Sequence, residues 1–154
     1  MREPRLPLWS RPGYLIRRLH QIHVALFLEE CKHWKLTPVQ YGLLTALAIR
    51  GALDQGSLAE ELGLDRTSTA EVLARLEKRR LVTRKPNPRD RRARIARITA
   101  RGRALTAAMF SSMQRAQDRL CAPLSQKERD LFMATLARLI EANNEYGRGA
   151  LRID

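Results

Sequence analysis

The sequence predicts a mainly α chain with one small β-hairpin, and three observations carry that prediction. Apolar residues recur every three or four positions through most of the chain, the spacing of helices that bury one face. Residues that cap helices punctuate the pattern at Thr37, Asp54, Asp65, Thr99 and Ser125. After Leu81 the spacing changes to that of short extended segments on either side of Pro86 and Pro88.

Taken in order, the arm through Ser10, with Pro4, Pro7 and Trp9, is expected to be irregular. From about Pro12, the residues Leu15, Ile16, Leu19, Ile22, His23, Leu26 and Phe27 form a stripe that runs on towards Cys31 and Trp34. That stripe predicts a helix of more than ~20 residues, long enough to serve a partner subunit as well as its own core. Thr37-Pro38-Val39-Gln40 is a helix start: a cap, a proline in the first turn and a glutamine that completes a capping box. Tyr41, Leu44, Leu47 and Ala48 give that helix its buried face, and Gly51 ends it.

A short third helix follows Asp54, with Leu58, Ala59 and Leu62 inward and Gly63 closing it; Asp65 caps a fourth, whose Val72, Leu73 and Leu76 face the core. Leu81 to Lys85 and Ala93 to Ile98 read as two strands joined by a loop that Pro86 and Pro88 keep from being helical. Thr99 caps a long helix carrying Leu105, Met109, Met113, Ala116 and Leu120, broken at Pro123. Ser125 and Glu128 make a second capping box, opening a last helix with Phe132, Leu136, Leu139 and Ile140 on one side.

This order is a winged helix-turn-helix set within a helical dimerisation region. Residues 37–99 form the expected DNA-binding domain, and residues 1–36 and 100–154 the expected dimerisation region. The outer helices have apolar faces too long for the small middle portion to cover, so a second copy is expected to cover them. A homodimer follows.

Charge singles out one stretch of this plan. Between Arg66 and Arg103 there are 14 Lys and Arg against 3 acidic residues, a net +11 out of +13 for the whole chain. Charge concentrated in a helix and the hairpin after it points to a polyanion rather than to general solubility. Double-stranded DNA is the expected partner, and the alternative is a basic architectural DNA- or RNA-binding protein without effector control. The 44% apolar and 29% charged content is that of an ordinary globular chain. With no long apolar run and no signal-like N-terminus, a cytoplasmic protein without membrane contact is expected. Cys31 and Cys121 are too few and too far apart for a disulfide framework or a zinc pattern. There is no phosphate-cradling glycine loop and no supported catalytic set, so neither an enzyme nor a cofactor is expected.

Three stretches together resemble the MarR family of bacterial transcriptional regulators. Leu58-Ala59-Glu60-Glu61-Leu62-Gly63-Leu64-Asp65-Arg66-Thr67-Ser68 is similar to its helix-turn-helix, and Leu76 through Arg84 to the end of its recognition helix. Asp90-Arg91-Arg92-Ala93 followed by Ile98-Thr99-Ala100-Arg101-Gly102 is similar to its wing signature. Thr37 to Tyr41 adds support. One departure is Arg80, where the family often has a glycine that eases the left-handed turn ending the helix.

The residue types suit the chemistry of reading a duplex. Short polar side chains and an arginine at a helix start, here Arg66, Thr67, Ser68 and Thr69, fit base edges and phosphates. Arg75 and Lys78 lie further along and are expected nearer the DNA backbone. Arg89, Arg91, Arg92 and Arg94 on a proline-stiffened hairpin fit a minor groove. The resemblance implies that Arg92 is the inserted residue and that Asp90 holds the loop by bonding a neighbouring arginine. It also implies an effector pocket for a small aromatic acid or its thioester between the dimerisation helices and the DNA-binding lobe. His20, His23, Phe27 and Tyr41 are the candidates there, with Arg17 and Trp9 near them in sequence; two partly buried histidines without a ligand are the plainer reading. Thiol sensing by Cys31 is a further alternative that the resemblance raises.

Overall fold

The computed structural model describes residues 7–149, so Pro4 and the first part of the arm lie outside the described residues. Six helices run in the order α1 (Pro12–Glu30), α2 (Pro38–Arg50), α3 (Gln55–Leu62), α4 (Arg66–Lys78), α5 (Ala100–Cys121) and α6 (Gln126–Ala142). Strands β1 (Leu53–Asp54), β2 (Val82–Pro86) and β3 (Arg94–Ile98) form one antiparallel sheet in the order β1-β3-β2.

The local signals act as their chemistry requires. Thr37 and Gln40 bond reciprocally, Gln40 N–H to Thr37 Oγ1 at 3.2 Å and Thr37 N–H to Gln40 Oε1 at 3.0 Å. Ser125 and Glu128 do the same at the start of α6. Asp54, Asp65 and Thr99 each accept the backbone N–H three residues on. Such caps satisfy amides that the first helical turn leaves without partners.

Three expectations need correction. Helix α1 has 19 residues and closes at Glu30, because Lys32–Trp34 tightens into a 3-10 turn that ends with Lys35 at φ 51°. The arm is not wholly irregular, since Leu8–Ser10 also forms a 3-10 turn, with the Ser10 hydroxyl donating to the Pro7 carbonyl at 2.8 Å. The wing is a three-stranded sheet: Leu53 pairs with Ala96 and Asp54 with Ile95, on the far side of β3 from β2.

The core lies where α2, α3, α4 and the wing base meet the C-terminal end of α1 and the length of α5. Phe27, Leu43, Leu44, Leu47, Leu58, Leu73, Leu76, Leu81 and Met109 are almost fully buried there. Burial of each side chain of this size stabilises by about 1.5–3 kcal/mol. Helices α1 and α5 run together, and ion pairs stitch them at one end: Arg115 to Glu30 at 3.1 Å, and Arg119 to Glu30 at 2.9 Å and to Glu29 at 3.1 Å. Those guanidinium bonds hold the Glu30 carboxyl below its ordinary pKa, Arg115 contributing most.

Helix α6 differs from the others because none of its residues is buried within the chain. Leu131 is 67% and Met133 57% exposed, and Leu139 and Ile140 are about half exposed with them. Leu15, Ile16 and Ile22 on α1 are similarly open. Among the described residues no helix is long and apolar enough to cross a membrane, and no group of His, Cys, Asp and Glu could hold a metal ion.

Candidate nucleic-acid interface

Helix α4 is fixed at both ends. At its start the Asp65 carboxylate accepts the Ser68 N–H at 2.7 Å and the Ser68 hydroxyl at 2.8 Å. These bonds, the backbone one foremost, hold the Asp65 carboxyl below its ordinary pKa. At its end Arg80 N–H donates to the Glu77 carbonyl and Leu81 N–H to the Leu76 carbonyl, the Schellman arrangement, with Arg80 left-handed at φ 58°. The position where glycine would be easiest is thus the one that adopts the glycine conformation.

The first turn of α4 exposes Arg66 and Thr67, half-buries Ser68 and points Thr69 inward. Thr69 departs from the expectation of a DNA contact. It is 0% exposed, and its hydroxyl donates to the Asp65 carbonyl at 2.8 Å. Thr69, Leu73 and Leu76 are three and four residues apart, so the threonine belongs to the buried stripe. Arg75 and Lys78 are exposed on the outer side of the helix.

The wing tip is built from two successive turns closed by side chains. Asn87 Oδ1 accepts the Arg89 N–H at 3.0 Å and Asp90 Oδ1 accepts the Arg92 N–H at 3.0 Å. Backbone bonds from Asn87 N–H to Ala93 and from Ala93 N–H to Asp90 close the loop. Asp90 therefore bonds a neighbouring arginine through its backbone amide, an Asx-turn that shapes the tip. Arg89, Arg91, Arg92 and Arg94 are all exposed. Arg84, by contrast, points back at α4 and bonds Glu77 at 2.6 and 2.9 Å, tying wing to reading helix.

Helix start and wing meet across one open cleft of about 500 Å³, lined by Asp54, Gln55, Arg66, Asp90, Arg92 and Arg94 among others. Gln55 donates to the Arg66 carbonyl at 3.3 Å, so the first turn of α3 steadies that of α4. Gln55 carried no charge to draw attention in the sequence. Its position one residue after a capping aspartate was the available signal.

The candidate effector residues form a row of rings. His20 and His23 centroids are 6.2 Å apart, His23 and Phe27 6.5 Å, and Phe27 and Tyr41 6.1 Å, each pair tilted. Phe27 is buried in the core and forms the floor of this row. Burial, then the charge of His20, lowers the pKa of His23; burial raises that of the Tyr41 phenol. Arg17 lies over the Tyr14 ring at 5.6 Å, and Trp9 is 72% exposed. These two are not gathered with the rings. Tyr41 instead opens into a groove of about 470 Å³ between α2 and α5, with Thr45, Ala48, Arg103, Thr106 and Phe110. Arg103, Thr106 and Phe110 are spaced three and four apart on one face of α5, a pattern the sequence contained but that carried no chemistry until α2 was placed beside it.

Residues 34–93, from the end of the 3-10 turn through the wing tip, match the model of the MarR family. Whole relatives match far more of the chain. The HTH-type transcriptional repressor NicR of Pseudomonas putida is 30% identical over 88% of this chain and 85% of its own length. The chain belongs to the MarR family. Among solved structures, this MarR-family chain is similar to Bordetella bronchiseptica BpsR, whose DNA binding is regulated by 6-hydroxynicotinic acid, at 28% identity and a TM-score of 0.85, covering 90% of this chain and 99% of that one. It is also similar to the repressor CouR bound to a 23-mer DNA duplex, at 30% identity and a TM-score of 0.81, covering 90% and 99%.

Within this MarR-family chain the wing signature has a mechanical role. The Thr99 hydroxyl lies 2.8 Å from the Arg80 carbonyl and 3.1 Å from that of Leu81, and it accepts the Gly102 N–H at 3.0 Å. A Cβ on Gly102 would stand 2.3 Å from the Leu81 carbonyl oxygen, so only glycine allows α5 to sit this close to the end of α4. Cys31, at the end of α1, is 1% exposed, and burial raises its thiol pKa, the reverse of what a reactive thiolate requires.

Proposed function

We propose that this chain is a homodimeric transcriptional repressor that reads a pseudo-palindromic operator and is released by a small aromatic acid or its thioester. The single observation that carries the reading is the shared cleft: Arg66 at the start of α4 and Arg92 and Arg94 of the wing converge on one open basic surface. Helix and wing can then engage adjacent grooves of one duplex, with Arg66 and Thr67 at base edges or phosphate, and Arg92 in the minor groove. Ser68 serves chiefly as a capping partner, and Thr69 has no part in the contact. Arg75, Lys78, Arg89 and Arg91 supply charge towards the phosphates, while Asp90 sets the loop that aims Arg92.

The open apolar faces of α1 and α6 support a dimer built from residues 1–36 and 100–154, with residues 37–99 as the DNA-binding unit. A two-fold dimer places one reading helix in each half-site. The similarity to BpsR supports an aromatic acid as effector. The groove with Tyr41, Arg103 and Phe110, beside the row of rings, offers a cation and aromatic surface to a carboxylate of that kind. A regulator of this type works in the cytoplasm and needs neither a cofactor nor a catalytic residue.

The test is a competition at matched salt between a duplex enriched by in vitro selection and a random duplex of equal length. Preference for the selected duplex by ~10³-fold or more is expected of a specific regulator. Equal affinity for both would favour the architectural alternative. Adding 6-hydroxynicotinic acid and simple phenolic acids to the selected complex tests release.

A further inference from the structure

The segment after α6 returns to the start of the reading helix. After α6 a 3-10 turn at Asn144–Tyr146 redirects the backbone. Arg148 then donates from Nη1 to Asp65 Oδ2 at 2.9 Å, across 83 positions of sequence. Gly149 is seated on the backbone of Glu60 so closely that a Cβ would stand 2.3 Å from the Glu60 carbonyl oxygen and 2.6 Å from its Cα. Beside this contact, Arg148 and Arg66 line a recess of about 360 Å³ that reaches Leu64.

Asp65 carries two opposed demands. As a cap, its carboxylate accepts the Ser68 amide and hydroxyl, and its charge favours the positive end of α4. As an anion at the end of α4 that approaches DNA, it repels phosphate, immediately before Arg66. A cation placed on the carboxylate without displacing the cap bonds removes the conflict. Arg148 does this, using Oδ2 while Oδ1 keeps the Ser68 N–H. The pair is open, with Arg148 63% and Asp65 44% exposed in their side chains, so it adds little to folding. What it changes is the field that a polyanion meets.

We propose that the C-terminal segment Gly147–Gly149 is part of the DNA-binding surface: Arg148 neutralises the Asp65 cap where α4 meets the duplex, and Gly149 seats the tail that presents it. The inference rests on the DNA-reading function proposed above. It adds an arginine that lies outside both the basic stretch and the span matched by the family model.

The experiment measures affinity of the full chain for a fluorescent duplex recovered by in vitro selection, at several salt concentrations. Arg148→Ala is expected to weaken binding about threefold near 0.1 M salt, the scale of one charge at a phosphate surface. Gly149→Val, which unseats the tail, should do the same, with unfolding midpoints of both variants close to the parent's. Asp65→Ser keeps a capping oxygen and removes the charge, so adding it to Arg148→Ala should return the affinity close to the parent's. Asp65→Asn provides the same test with a second neutral cap. Parent-like binding by Arg148→Ala, or no recovery when Asp65→Ser or Asp65→Asn is added to it, would overturn the proposal. A parent chain that binds no duplex would instead overturn the DNA-reading function itself.

Discussion

Arg79 donates to the Lys35 carbonyl at 2.7 Å, and its second Nη donates to the Trp34 carbonyl at 3.0 Å. One guanidinium at the end of the reading helix thus holds the connector between α1 and α2, the two helices that carry the row of rings. Lys35 is left-handed at that point, and the bonds from Arg79 help to hold it there. Arg79 thus ties the α1–α2 connector to the end of α4.

Arg79→Ala should destabilise the fold by about 1 kcal/mol, the net worth of partly exposed charge-assisted bonds. Urea unfolding followed by far-UV circular dichroism measures this. Arg79→Lys should recover only part of the loss, because one ammonium cannot reproduce the planar fork. An unchanged midpoint in both variants would remove Arg79 as a tie between the two regions.

Arg80 occupies a backbone conformation that costs a non-glycine residue energy. Arg80→Gly should stabilise the chain by about 0.5–1 kcal/mol, the relief at the left-handed position less the added freedom of the unfolded chain. Thermal unfolding should show a higher midpoint. Loss of the charge should weaken DNA binding at the same time, so stability and affinity move in opposite directions.

Gly102→Ala should cost roughly 2–4 kcal/mol, because the added methyl meets the Leu81 carbonyl and the Ile98 side chain with no room to relax. The joint between α4 and α5 would open, and DNA binding should fall by more than stability alone accounts for. Equal protection of the wing amides in parent and variant, followed by hydrogen exchange, would contradict this role for Gly102.

His23 gives the fold a pH dependence of known sign. Its pKa in the folded chain lies below the ordinary 6.5, so the unfolded chain binds more protons between the two values. Stability is unaffected above pH 6.5 and falls as pH drops from there through the folded pKa. His23→Gln should flatten that segment of the stability curve. Glu30, Glu77, Asp54 and Asp65, all depressed in the fold, act in a lower window: their contribution is full above the unfolded values of 4.5 and 3.8 and is lost below them. The His23 variant should retain that second decline.

Much of the fold was legible because its signals are local. Thr37 with Gln40, Ser125 with Glu128, and Gly63 after α3 act within a single helical turn, so spacing alone reveals them. Strand β1 was not legible, being two residues long and paired to Ala96 and Ile95 far along the chain. Thr69 was misread for a different reason. Its polarity suggested the surface, although its spacing to Leu73 and Leu76 placed it inside. For the candidate site, Arg66, Arg92 and Arg94 were legible as charge and are gathered in one cleft. Arg148 was not, because nothing in the sequence of the tail indicates that it folds back to Asp65.

The most direct test of the account is the salt dependence of duplex binding by the parent and Arg92→Ala. If Arg92 reaches the minor groove from a wing held by Asp90, the variant should lose about tenfold or more in affinity, and the slope of log K against log salt should shrink by about 0.9 for each half-site. An unchanged affinity with an unchanged slope would contradict the assignment of the wing.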